Sequence, residues 1–263
     1  MCIMYAPLES HRTYEYVYRS DMKGEIQKCI NAKLNHIHID IFDGVYINSP
    51  HALTFGPQMV QAIYNRFVVN NNNNDNNQQQ QQQQQQLVLD IHLCVDRPQR
   101  YAQAMAEAGA TRIIYQWEAM QPNIGSSSDD GNSNSNNINS NNSNDESNIS
   151  MLNRAIEFAQ EITALGMKCG ISINPSTNIT SIFPLLDAGL IDLVDVLAVE
   201  PGFGGQQFNP IVIEKIIALR HYIDNELRPK RGIDVIILVD GGINNSTNAD
   251  VIDAGADILV AGE

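Results

Sequence analysis

Short apolar runs alternate along this chain with stretches of helical period. Runs rich in Ile, Val and Leu fall at residues 35–41, 87–93, 112–116, 168–173, 194–199, 235–239 and 258–260. Each is short enough for a strand buried on both faces. The intervening patterns predict helices over 22–32, 57–67, 98–108, 151–165, 181–188, 211–226 and 247–254. Pro57 and Pro98 stand where a first helical turn would begin. Gly109, Gly166, Gly189 and Gly255 fall just past helix ends, where a left-handed cap favours glycine. Strands that alternate with helices predict a parallel sheet, and both a doubly wound sheet and a closed barrel fit it. A number of units close to eight, with polar residues at the C-terminal ends of several strands, favours a (β/α)8 barrel. No GxGxxG follows the first strand, which weakens the dinucleotide-binding open sheet. The first strand is irregular: residues 5–20 hold no clean run, and 2–6 is the best candidate. The eighth ends near Ala261, two residues before Glu263. No eighth helix is therefore expected, and apolar surface on Ile258, Val260 or their neighbours is expected to face water or another chain.

Two low-complexity stretches interrupt this pattern. Residues 70–86 are nearly all Asn and Gln, and 123–150 are mostly Ser, Asn and Asp. Neither carries enough apolar surface to offset the entropy of ordering its backbone. Both are expected to be disordered surface insertions in a single domain spanning 1–263. The remaining sequence is long enough to bury one core.

The net charge of -14, without a Lys/Arg cluster, argues against nucleic acid and anionic membrane as partners. An anionic ligand would have to be held locally, by backbone N–H groups or a metal. Cys2, Cys29, Cys94 and Cys169 are scattered, with no CxxC pair and no zinc-finger spacing. That pattern suits reduced thiols in the cytoplasm. No basic-then-apolar leader opens the chain, and no stretch approaches the roughly 18 apolar residues that span a bilayer.

The candidate chemistry begins at His38 and Asp40 in HIHIDIFDG. Residues two apart on a strand share a face. With Ile37, Ile39 and Ile41 on the opposite face, His38 and Asp40 point together into the barrel mouth. His92 in LDIHLC ends the next strand, and Asp240 in LVDGG ends a later one. Any one His could be a hydrogen-bonded core residue, but four polar residues at matching strand ends favour a metal. The mixed N and O set suits Zn2+, Mn2+, Fe2+ or Co2+ better than Ca2+ or a thiolate site. Asp43, just before Gly44, reads as a turn residue, and Asp90 as a hydrogen-bond partner behind the ligands. Glycine-rich segments follow three late strands: Gly202-Phe203-Gly204-Gly205, Gly241-Gly242 and Gly262. Each could be a plain turn, or could offer backbone N–H groups to an oxyanion. Beside a metal set they point to a phosphorylated ligand.

HIDIFDG, FGPQMV, NPSTN, VEPGFGGQQF and VDGGIN resemble, in that order, the motifs of the ribulose-phosphate 3-epimerase family. The resemblance covers most of residues 22–262 apart from the insertions. It implies a (β/α)8 barrel that interconverts D-ribulose 5-phosphate and D-xylulose 5-phosphate with one divalent cation: zinc, iron, manganese or cobalt. It further implies that His38, Asp40, His92 and Asp240 are metal ligands, and that Asp40 and Asp240 form the acid/base pair. His92, Gly202, Phe203, Gly204, Gly205, Gly241, Gly242, Gly262 and Glu263 would touch the sugar phosphate. A homodimer is a further expectation. The chain departs from the family pattern at several positions. Leu8 follows Ala6-Pro7 where the family has a Ser, with Ser10 a loose substitute. Phe42, Cys94 and Leu197 replace methionines around the site. Gln116 replaces a His, and Glu263 a Ser. These departures leave open a weakened or inactive relative acting as a binding or partner subunit, or an epimerase for another ketose phosphate.

Overall fold

Alternate side chains of a strand face opposite ways, and this sorts the buried residues into a shell and an interior. The computed structural model describes residues 2–5, 22–31, 34, 36–69, 87–121 and 143–261. One sheet contains, in chain order, β1 (Cys2–Tyr5), β2 (His36–Phe42), β3 (Val88–Cys94), β4 (Arg112–Gln116), β5 (Lys168–Ile173), β6 (Leu193–Leu197), β7 (Ile236–Ile243) and β8 (Ile258–Ala261). β2 to β8 pair in parallel, each with the next. The crossovers contain α1 (Met22–Asn31), α2 (Pro57–Ile63), α3 (Ala102–Glu107), α4 (Ser143–Ala164), α5 (Phe183–Asp187), α6 (Val212–Tyr222), α7 (Arg228–Arg231) and α8 (Asn248–Asp253). The sheet curls so that β1 comes close to β8, giving a barrel of the (β/α)8 class. Gly109, Gly166, Gly189 and Gly255 all have positive φ at their helix ends, as the sequence predicts.

Three expectations need correction. The first strand runs antiparallel to β2, with Cys2 opposite Ile39 and Tyr5 opposite His36. The β1–α1–β2 order would favour a parallel pair, so the alternation fails at this strand, where an antiparallel ladder is at least as stable per residue. Among the described residues β1 forms no ladder with β8. Second, α4 begins at Ser143, inside the stretch read as an insertion. The polar composition of that stretch hid the helix start. Third, Ile258 and Val260 themselves do not face water, although their neighbour Leu259 is only partly buried. They are 7% and 1% exposed and pack with Ile114, Leu193 and Leu238 inside the barrel. Residues 70–86, 122–142, Gly262 and Glu263 lie outside the described residues, as do Ala6-Pro7, Leu8 and Ser10.

The core shell lies between strands and helices. Ile37, Ile39 and Ile41 of β2 and Leu89, Ile91 and Leu93 of β3 join it, each at most 1% exposed. α4 docks on β4 through Phe158, whose ring meets Tyr115 edge-on with centroids 4.9 Å apart. The Tyr115 hydroxyl donates to the Ala155 carbonyl at 2.9 Å. Inside the barrel, near the N-terminal end of the strands, buried Arg112 grips two carboxylates. It donates to Asp90 at 2.8 Å and, through two nitrogens, to Asp192 at 3.1 and 2.9 Å. Burying a guanidinium is tolerable only with such pairing.

Candidate metal centre and cleft

The alternation that sends Ile37, Ile39 and Ile41 outward turns His38 and Asp40 inward. His92 on β3 and Asp240 on β7 reach the same point. One nitrogen or oxygen from each of the four lies within 4.8 Å of those of the others. His38, Asp40 and His92 are at most 2% exposed, and Asp240 is 7% exposed. Asp40 Oδ1 is the hub, 3.0 Å from His92 Nδ1 and 3.3 Å from His38 Nε2. Gln116 Nε2 donates to His92 Nε2 at 2.9 Å, which leaves the Nδ1 proton to bond Asp40. The contact to His38 lacks hydrogen-bond geometry, so both ring nitrogens of this buried imidazole have no hydrogen-bond partner.

The electrostatics follow from packing two carboxylates and two imidazoles out of water. Burial pushes the Asp240 carboxyl up to about 8, and the negative charges of Asp40 and Asp195 add to it. Asp40 moves the other way. Burial opposes its ionisation, but the close imidazoles of His38 and His92 outweigh that and hold it well below the usual carboxylate range. Burial also opposes charging of both histidines. Asp40 and Asp240 nevertheless raise His38, and the neighbouring Cys94 and Asp40 raise His92. Asp240 and the two histidines thus favour their protonated forms where a dication would place its charge.

Above this cluster opens a cleft whose walls include Asp40, His92 and Asp240 and the loop from Glu200 to Gln206. Gly202, Phe203, Gly204, Gly205, Gly241 and Gly242 all line it, together with Phe42, Cys94 and Leu197. The paired glycines after Asp240 are structurally required as well. β7 advances from Asp240 to Ile243 while β8 advances only from Val260 to Ala261, a bulge. There Gly241 and Gly242 take φ of 100° and 68°. A Cβ on Gly242 would fall 2.5 Å from the Phe208 backbone nitrogen.

The structure separates two further expectations. Asp43 is a turn residue: its Oδ1 accepts from the backbone of Val45 and Tyr46, and its Oδ2 from that of Asp96. Asp90 does not stand behind the ligands. Its carboxylate pairs with Arg112, one strand step toward the other end of the barrel. Sequence reasoning missed Asp195 and Ser172, both fully buried in the barrel interior. The signal was present in LVDVL, where the period of two places Asp195 on the same face as Leu197. It also missed the role of Glu118, which accepts from the Asn174 backbone at 2.9 Å and from the Thr177 hydroxyl. Lys215 donates to the carbonyls of Asn174 and Thr177, so the NPSTN motif is a loop held by two half-buried charged side chains.

The Ribulose-phosphate 3 epimerase family matches over residues 18–126 and 146–263. Among curated relatives, the ribulose-phosphate 3-epimerase of Bacillus subtilis is 32% identical over 86% of this chain and 77% of its own length. That of Synechocystis is 31% identical over 90% and 78%. The cytoplasmic isoform from Oryza sativa is 28% identical over 92% and 80%. Relatives of this name support an epimerase, an enzyme of isomerase class. Among the described residues no helix is long and apolar enough to cross a membrane. Barrel, inward His/Asp cluster, glycine-lined cleft and sequence likeness agree, and the chain belongs to the ribulose-phosphate 3 epimerase family.

Proposed function

We propose that this protein interconverts D-ribulose 5-phosphate and D-xylulose 5-phosphate, with one divalent cation held by His38, Asp40, His92 and Asp240. The observation that supports this most directly is the convergence of those four residues, with Asp40, His92 and Asp240 lining a glycine-walled cleft. The donors suit a cation. They are mixed N and O ligands, the two imidazole nitrogens of His38 lack hydrogen-bond partners, and the two carboxylates need a positive charge between them. Zn2+, Fe2+, Mn2+ and Co2+ all match such a set. When bound, the cation would stabilise the negative charge that develops on the substrate oxygens.

The remaining work falls to the chain. Epimerisation beside a ketone removes a proton from one face of a carbon and returns one to the other. Asp40 and Asp240 rise from strands β2 and β7, so a ketose lying between them meets a carboxyl on each side. One takes the proton and the other, protonated, gives one back. Backbone N–H groups of Gly202, Gly204, Gly205, Gly241 and Gly242 are suited to receive the phosphate. Phe203 lines the cleft and is exposed at its rim, where it could cover the bound sugar. The thiol pattern and the name of the rice relative support a cytoplasmic location.

The test is turnover of D-ribulose 5-phosphate by purified protein with Mn2+ or Zn2+ added and after chelation. Turnover with metal, its loss on chelation, and a fall of roughly 10²–10⁴-fold in Asp40→Asn and Asp240→Asn are expected. A folded, metal-loaded protein that turns over no ribulose 5-phosphate would instead favour an inactive relative or a different ketose phosphate.

A further inference from the structure

Asp195 is a buried carboxylate that the epimerase reading leaves without a task. It lies on β6 between Val194 and Val196, which face the helices, and it points into the barrel with no exposed surface. Its Oδ2 accepts one hydrogen bond, from the Ser172 hydroxyl at 2.8 Å. Its Oδ1 has no hydrogen-bond partner. A carboxylate in a barrel interior with one neutral donor is costly, and an apolar side chain there would pack better.

The surroundings indicate what it faces. Ser172 also receives a hydrogen bond from Gln116 Nε2 at 3.3 Å. The same amide nitrogen lies 2.9 Å from His92 Nε2. Asp195 Oδ2 itself lies 3.8 Å from His92 Nδ1, the nitrogen that Asp40 contacts at 3.0 Å. His92 is therefore held at Nε2 by a network drawn from β4, β5 and β6, and at Nδ1 by Asp40 of β2. Its Nδ1 edge looks out between two carboxylates. The guanidinium of Arg112 is engaged by Asp90 and Asp192, and the basic group that the described residues place beside Asp195 is His92.

We propose that Asp195 is a positioning residue of the metal centre: through Ser172 and Gln116 it fixes the His92 ring, and its own charge deepens the negative field that holds the cation. The proposal rests on the metal reading given above. Groups that orient a ligating imidazole in this way change metal affinity by about 10–100-fold when removed.

The experiment is a titration of metal-free protein with Mn2+ and, separately, Zn2+, alongside its melting temperature without metal. Asp195→Asn keeps shape and removes charge. It is expected to weaken binding of both ions by about tenfold or more while the metal-free melting temperature holds or rises. Ser172→Ala should weaken binding less. If Asp195→Asn folds poorly, Asp195→Leu fills the same interior with apolar surface, and the same loss of affinity is expected in a well-folded protein. Affinity within twofold of the unaltered chain in either folded variant overturns the proposal and leaves the metal reading standing. Failure of the unaltered chain to bind either ion overturns both.

Discussion

At the scale of single residues, glycine conformation and buried charge matter most. Gly242 combines a φ of 68° with a place where any Cβ meets the Phe208 backbone at 2.5–2.6 Å. Gly166 has a similar φ, 82°, with open space around it. Gly166→Ala should cost only the left-handed backbone penalty, about 1–2 kcal/mol. Gly242→Ala should cost clearly more, because the backbone of a neighbouring loop must move as well. Chemical denaturation of the two variants measures the difference, and equal losses would show that the loop at Phe208 yields freely. The bulge that Gly242 permits lies on the wall of the cleft, so Gly242→Ala should impair turnover as well as stability.

At the scale of elements, α4 is the most informative. It emerges from a polar, low-complexity stretch, yet buries Met151, Ala155, Phe158, Ala159 and Ile162 against the sheet. Phe158 is 1% exposed and in edge contact with Tyr115. Phe158→Ala removes that ring from the shell and should cost about 3–5 kcal/mol. A loss below about 1 kcal/mol would mean that the helix is loosely docked. The first low-complexity stretch should behave oppositely. Shortening the glutamine run within residues 78–86 removes polar residues with little to bury, so melting temperature and turnover should stay nearly unchanged. A large fall in melting temperature would show that the run packs on the barrel.

At the scale of the whole molecule, the candidate centre links stability to pH. Without metal, Asp240 titrates at about 8 in the folded chain against an ordinary carboxylate value of 3.8. The folded state then binds more protons than the unfolded state across that window, so this group's contribution to stability falls as pH rises from about 4 to about 8. His38 and His92, raised above 6.5, act in the same direction: their contribution is present at low pH and lost as pH climbs through their folded values. Asp40, depressed, contributes above 3.8 and loses that only in strong acid. Metal reverses the trend, because it binds deprotonated ligands and releases their protons. Chelated protein should melt lower at pH 8 than at pH 5.5, saturating Mn2+ should raise the melting temperature more at pH 8, and Asp240→Asn should flatten both responses. Thermal scans at the two pH values decide it. A metal response that is larger at pH 5.5 would contradict the linkage.

The sequence alone carried the strand and helix order, because period two and period 3.6 are local properties of the chain. It also carried the direction of His38, Asp40, His92 and Asp240, since each lies at the end of a strand whose alternation is clear. What it could not decide was non-local. Whether β1 runs parallel or antiparallel depends on which strand edge it meets, and no local pattern encodes that. Ile258 and Val260 read as exposed when the barrel was considered from outside, yet they fill its interior with Ile114, Leu193 and Leu238. Asp90 and Asp195 show the same division most sharply. Both are inward-facing aspartates, on β3 and β6 of the barrel wall. Only the register of neighbouring strands gives Asp90 to Arg112 and sets Asp195 beside His92, because the cost of a buried charge is settled by the partner that the fold brings to it.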